Sequence, residues 1–286
     1  MNIDEYKGLR IIDKLKTDAQ KGVYMANWNQ LRINYGNNVE WQKLKNQVLM
    51  CSETRNMIYA VPADVKYVQG SRPVIEMTSQ WVTKDAKTAR ERVLALLKFC
   101  RDLYLTHGKH LHYRFYGGTE EQLIEKGENL CECMGRLMVS LCEVLGIPGR
   151  IVMHVVNGHI TSEVFIENKW CFFDPRFAVF YVDENEAFLS VEEIMQNREI
   201  IFNQPQWVKE FVSKQTDFDT MARENYDKYM CSKEIITFCD YSLMDFESYT
   251  YEIKLRDEIY QDGMKPAIRE YQKYMKIVMN EEKGEI

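Results

Sequence analysis

Apolar residues recur at helical spacing in two segments of the chain. The first is "TARERVLALLKFCRDLYL", and the second is "CECMGRLMVSLCEVLG", which runs into an Ile-Pro turn. The positions that share one helical face are Val93, Leu96, Leu97, Cys100 and Tyr104 in the first segment and Met134, Leu137, Met138, Leu141 and Leu145 in the second. The pattern predicts two helices that pack against each other.

After Pro148 the pattern changes from helical to alternating. The stretches "RIVMHVV", "ITSEVFI" and "KWCFFD" are rich in β-branched and aromatic residues, and "NGH" and "EN" separate them as turns. The sequence therefore predicts helices followed by an antiparallel sheet, which is an α+β layout.

The chain divides into three predicted zones. Residues 1–80 mix amphipathic stretches with turn-rich ones, residues 81–182 hold the helices and strands above, and residues 183–286 begin with the capping-box pattern of Ser190 and Glu193. The last zone is rich in aromatic side chains, which must be buried, so we expect it to pack on the core and border its cleft. The alternative is that these side chains are buried against a second subunit or a partner protein. The expected fold is an α+β core with helical N- and C-terminal additions.

Composition narrows the possible functions. With 286 residues and 45% hydrophobic residues, the chain can bury a large core. A net charge of −6 without a block of Lys and Arg argues against a nucleic-acid partner. The chain has neither a long apolar run nor a signal-like start, so we expect a cytoplasmic protein without a membrane partner. We expect its eight cysteines to be reduced.

Cys131 is the strongest candidate for a reactive group. If a helix begins there, the positive end of the helix dipole and the N–H groups of the first turn favour a thiolate. Cys133 would point about 200° around the helix axis, so only one of the two can be catalytic. Asn129 tolerates the tight turn that would present the Cys131 thiol.

A thiol nucleophile needs a base, usually histidine. His107, His110 and His112 lie in a polar loop, and His154 lies within a strand. His159 begins the next strand. A two-residue turn at Glu167-Asn168 would place His159 and Asp174 on the same face as diagonal neighbours, within reach of each other.

The spacing of these residues resembles the transglutaminase-like superfamily. The matching pieces are "GENLCE", "LGIPGRIV", "GHITSEVFI" and "KWCFFDP", between about residues 85 and 180. The resemblance implies a papain-like core with Cys131 as nucleophile, His159 as base and Asp174 as the orienting carboxylate. Asn129 stands where the family usually has glycine, and Cys133 where it usually has an acidic or polar residue.

The predicted function is cysteine-dependent acyl transfer on a peptide, protein or small amide through a thioester. Hydrolysis by a protease or amidase is favoured over glutamine-dependent cross-linking and over a non-catalytic binding or assembly role. No cofactor is predicted. Potential soft metal ligands exist at Cys131, Cys133, His154, His159 and Cys171, but they lack a paired CxxC spacing, and no "DxDxDG" calcium loop occurs. The oligomeric state stays open.

Overall fold

The computed structural model describes residue 11 and residues 47–60, 64–103, 119–126, 130–212 and 216–244. Within these ranges the helices are α1 (Ser52–Ala60), α2 (Pro73–Val82), α3 (Ala89–Leu103), α4 (Glu120–Lys126), α5 (Cys131–Val144), α6 (Val191–Gln196), α7 (Gln206–Lys209) and α8 (Phe218–Glu224). The strands are β1 (Val48–Leu49), β2 (Gly149–His154), β3 (His159–Ile166), β4 (Lys169–Phe173) and β5 (Ile236–Asp240). A 3-10 turn (Arg198–Ile201) follows α6, and a π-helical turn (Asn225–Tyr229) continues α8.

The strands form one antiparallel sheet in the order β1-β5-β2-β3-β4. Strands β3 and β4 form a hairpin in which Phe165 faces Trp170. Its two turn residues have positive φ angles, 54° at Glu167 and 63° at Asn168, as the tight turns favoured in hairpins require. The predicted α+β class, the hairpin and its register are confirmed.

Helix α5 packs closely against β3. Both predicted helical faces contribute fully buried side chains to one hydrophobic core, namely Val93, Leu96, Leu97 and Cys100 of α3 and Met134, Leu137, Met138 and Leu141 of α5. A Cβ atom at Gly135 would lie 3.3 Å from the carbonyl oxygen of Thr161 and 3.4 Å from the Ile160 side chain. Glycine at this position therefore lets the helix approach the strand, one turn beyond Cys131.

The opposite face of the sheet carries a buried ion pair. Arg150 Nε donates to Glu163 Oε2 over 2.9 Å, and neither side chain is exposed. The guanidinium lies 4.0 Å from the centroid of the Trp170 ring, and Glu163 also accepts hydrogen bonds from Tyr59 Oη and Val191 N. The bonds from Tyr59 and Val191 link α1 and α6 to the sheet through Glu163. Loss of either charged partner would leave the other charge buried without compensation.

Strand β5 is the main departure from the predicted helical character of the last zone. It lies between β1 and β2, with Thr237 opposite both Leu49 and Met153. The stretch "IITFCD" is too short for its pattern to separate a strand from a buried helical segment, so only the sheet decides. Strands from both outer zones complete the sheet of the middle zone, and the division into three zones stays a prediction.

The described part of the last zone begins as its sequence indicated. Ser190 Oγ accepts from the Glu193 N–H and the Glu193 side chain accepts from the Ser190 N–H, which confirms the capping box. Tyr104 and residues 245–286, with the last of the tail's aromatic residues, lie outside the described residues. Within the described ranges, no helix combines the length and the apolar character needed to cross a membrane.

Candidate active site

Cys131 is the first residue of α5, which meets the condition that the argument for a thiolate set. The residue before it, Leu130, has extended backbone angles and an apolar side chain, so this helix start has no side-chain cap. The helix dipole therefore acts at the Cys131 side chain without a competing capping group on Leu130. Cys131 is half-buried, whereas Cys133 is buried, so the two thiols have different surroundings as expected.

His159 and Asp174 form a buried pair at the other side of the site. His159 Nε2 donates to Asp174 Oδ2 over 2.7 Å, and their side chains are 2% and 0% exposed. The hairpin explains this contact, because its last pair, Ser162 and Phe173, leaves the next residue, Asp174, near the start of β3 and so near His159. Asp174 Oδ1 also accepts from the N–H of Arg176 at 3.1 Å, which orients the carboxylate.

The structure brings Cys131 to the same imidazole. The Cys131 thiol lies beside the His159 ring, near enough that each side chain shifts the pKa of the other towards its charged form. Since Asp174 occupies Nε2, the other ring nitrogen, Nδ1, is the atom that remains for the sulfur. Cys131, His159 and Asp174 thus form one continuous chain of side-chain contacts, although they come from a helix, a strand and the end of the next strand.

The charges on these side chains stabilise one another. Burial by itself raises the pKa of the Cys131 thiol, but the hydrogen bond and charge of His159, the backbone N–H of Ile160 and the charge of Arg176 lower that pKa below its ordinary value. Burial lowers the pKa of His159, but the Asp174 carboxylate and the Cys131 sulfur outweigh it and raise the pKa to about 10. Cys131 and His159 therefore favour each other's charged form, the thiolate and the imidazolium.

His154 lies next to this chain but does not belong to it. It is the cross-strand partner of His159, with the two ring centroids 5.9 Å apart. Its Nδ1 bonds to the carbonyl oxygen of Tyr229 at 2.9 Å and its Nε2 to Thr161 Oγ1 at 3.1 Å. Complete burial, together with the charge of His159, lowers the pKa of His154 to about 3, so it stays neutral.

Tyr229 is the site residue that sequence reasoning missed. It ends the π-helical turn, and its ring centroid lies 4.3 Å from that of His159. The aromatic density of the last zone indicated burial of its rings, but nothing in the local pattern gave the direction of Tyr229. Phe177 lies farther from His159, with a centroid separation of 6.5 Å.

Three other cysteines lie in surroundings that are less favourable for a thiolate. Burial raises the pKa of Cys100, Cys142 and Cys171. All eight cysteines lie in the described residues and are free thiols. No group of three or more His, Cys, Asp or Glu side chains suited to a metal ion occurs among the described residues. Asn129 and the loop histidines at 107, 110 and 112 lie outside them.

Comparison with known proteins supports the resemblance seen in the sequence. The model of the transglutaminase-like superfamily matches residues 76–175. This range includes α5, strands β2, β3 and β4, and the three residues Cys131, His159 and Asp174. Searches of curated proteins and of solved structures gave no match. Residues 76–175 therefore make up the region that the chain shares with the transglutaminase-like superfamily.

Proposed function

We propose that the protein is a cysteine-dependent enzyme that cleaves an amide through a thioester and transfers the acyl group to water. The observation that carries this proposal is the buried His159–Asp174 pair, whose imidazole also lies beside a cysteine at a helix start. A thiolate that is stabilised by an adjacent imidazolium is the activated form of a cysteine nucleophile.

In the first half-reaction, the Cys131 thiolate would attack the amide carbonyl carbon, and the carbonyl oxygen would gain the negative charge. Backbone N–H groups of the first turn of α5 are the donors nearest in sequence, and one such donor contributes a few kcal/mol in comparable sites. His159 would then give its proton to the leaving amine while the C–N bond breaks. Asp174 would keep the ring tautomer and orientation fixed through its bond to Nε2.

In the second half-reaction, His159 is neutral and would accept a proton from water as that water attacks the thioester. The C–S bond breaks, the acid product leaves, and the thiolate and imidazolium are restored. Water needs no binding site of its own, whereas transfer to an amine needs a site that holds the amine beside the thioester. For this reason we place hydrolysis before cross-linking.

The test is a screen of peptide amides and glutaminyl amides, with and without an added primary amine. We expect wild type to release the acid product and Cys131→Ala to lose at least about a thousandfold in kcat/KM. Cys51→Ala is the matched control, because Cys51 is another half-buried thiol and lies outside the site. Its rate should equal that of wild type.

The outcomes of the screen separate the candidate functions. An amide product formed only with the added amine would replace hydrolysis by transamidation. Equal turnover, or none, for wild type and Cys131→Ala across the whole screen would overturn catalysis through Cys131 and favour a binding or assembly role.

A further inference from the structure

The π-helical turn that ends in Tyr229 has a local cause in the sequence. Asn225 is fully buried, and its Nδ2 donates to the Met221 carbonyl oxygen at 3.0 Å, in competition with the backbone ladder. The Met230 N–H then reaches back five residues to the Asn225 carbonyl oxygen at 2.7 Å. The wider turn changes the direction of the residues that follow α8, and Tyr229 is the last of them.

A neutral histidine holds the end of this turn in place. The carbonyl oxygen of Tyr229 can only accept, so Nδ1 of His154 must carry the hydrogen of their 2.9 Å bond. His154 Nε2 then has a lone pair and accepts from Thr161 Oγ1, which leaves both ring nitrogens satisfied. Asn157 adds a second link, because its Nδ2 donates to the Lys228 carbonyl oxygen at 3.1 Å.

The fixed backbone presents the Tyr229 ring to His159. The two rings are tilted by 34°, with their centroids 4.3 Å apart, closer than the rings of His154 and Phe177 lie to His159. The face of a tyrosine ring carries negative charge density, which attracts a cation such as an imidazolium. The Tyr229 hydroxyl takes no part in this contact, since it lies 3.4 Å from Glu224 Oε1.

We propose that Tyr229 is a positioning residue that holds the His159 imidazolium in the plane where one nitrogen meets Asp174 and the other meets Cys131. His154 acts one step further out by fixing the Tyr229 backbone. This inference rests on the proposed function, because it assigns a role in the formation of the reactive thiolate. It makes the segment after the matched region part of the reaction site.

Several charged and titratable groups surround the Tyr229 and His159 rings, and they determine whether the titration of Cys131 can report on the contact between the rings. Cys131, Asp174 and Arg176 lie on the side of the reacting groups, while His154 and Glu224 lie on the side of the turn. Burial and the neighbouring negative charges raise the pKa of Tyr229, so it stays protonated through the range in which Cys131 titrates. A change in the Cys131 titration therefore reports on the ring contact.

The experiment measures the rate at which iodoacetamide alkylates Cys131 in the full chain between pH 4 and pH 10. For Tyr229→Leu we expect the alkylation pKa of Cys131 to rise by about one unit, which slows alkylation at pH 6 by about tenfold. Tyr229→Phe keeps the ring and should follow wild type. Tyr226→Leu alters the same turn at a ring that packs on Phe202, so it controls for a purely structural effect and should also follow wild type.

An unchanged alkylation profile for Tyr229→Leu would overturn the positioning role. If that variant does not fold, Tyr229→Met keeps a flexible apolar side chain without a ring, and the same two outcomes apply to it. The proposed function fails separately: in that case wild type itself shows no low-pKa alkylation at Cys131. A low pKa in wild type that His159→Ala abolishes and Tyr229→Leu leaves in place would reject the inference alone.

Discussion

His154 and His159 face each other across neighbouring strands, yet their pKa values are shifted in opposite directions. The pKa of His154 is lowered to about 3, and that of His159 is raised to about 10. Both side chains are almost completely buried, so burial alone does not distinguish them. The difference lies in their partners, because His159 meets the Asp174 carboxylate and the Cys131 sulfur, whereas His154 meets a carbonyl oxygen and a hydroxyl.

This contrast shows how two histidines on neighbouring strands can differ in charge, with His159 protonated and His154 neutral. Two imidazolium groups 5.9 Å apart would repel each other, so the charge on His159 helps to keep His154 neutral. The effects on folding are opposite as well. His159 contributes stability that is present below about pH 6.5 and is lost as the pH rises through about 10. His154 lowers stability as the pH falls from about 6.5 towards 3.

The largest change in this comparison is the removal of the charged member. In His159→Ala the thiolate loses both the hydrogen bond and the positive charge, so the Cys131 pKa rises to at least its ordinary value. We expect alkylation of Cys131 at pH 6 to fall by at least about a hundredfold with the fold intact. Mass spectrometry of the labelled peptide measures this rate, with the buried Cys142 as the internal reference. An unaltered profile would assign the base to another residue, first of all His154.

A smaller effect is expected when His159 remains and its partner changes. Asp174→Asn removes the charge that raises the His159 pKa but keeps a side chain of similar shape. The imidazolium becomes less stable, so alkylation of Cys131 at pH 6 should slow by about tenfold and the pKa of the Cys131 thiol should rise. Titration of the His159 C2 proton by NMR gives the second readout, and its pKa should move towards that of a free histidine. A His159 pKa that stays near 10 would refute this role of Asp174.

The smallest effect on the alkylation of Cys131 is expected from the neutral member, His154, whose contribution is measured in the pH dependence of stability instead. The amide of His154→Gln can still donate to the Tyr229 carbonyl oxygen but cannot take up a proton. Wild type should lose about 2–3 kcal/mol more unfolding free energy than this variant between pH 7 and pH 4.5, since one pKa unit corresponds to about 1.4 kcal/mol. Urea unfolding at the two pH values measures the difference. Equal losses in the two proteins would mean that His154 already carries a proton at pH 4.5.

The inner part of the site could be predicted because short-range rules determine it. The two-residue turn at Glu167-Asn168 sets the register of β3 and β4, and that register leaves Asp174 near His159. The helix start at Cys131 follows from apolar periodicity and the Ile-Pro turn at its other end. The contact between the hairpin and the helix is long-range, so local patterns do not predict it. The resemblance to the transglutaminase-like superfamily is what implied that Cys131 lies beside His159.

The outer part of the site lay beyond such rules. Tyr229 reaches His159 from a turn that precedes β5, and the run Ile236–Asp240 carries no sign that it pairs with β2. The hydrogen bond between His154 and the Tyr229 carbonyl oxygen spans 75 positions along the chain. Backbone acceptors look alike in a sequence, so a contact of this kind becomes visible only in three dimensions.

The position of β5 has a consequence for the order of events during protein synthesis. A ribosome releases the helix with Cys131 and the hairpin with His159 and Asp174 well before residues 236–240, which form an inner strand of the sheet. Until those residues emerge, one edge of β2 has no partner strand. A nascent chain thus carries Cys131, His159 and Asp174 before β5 has emerged to pair with β2.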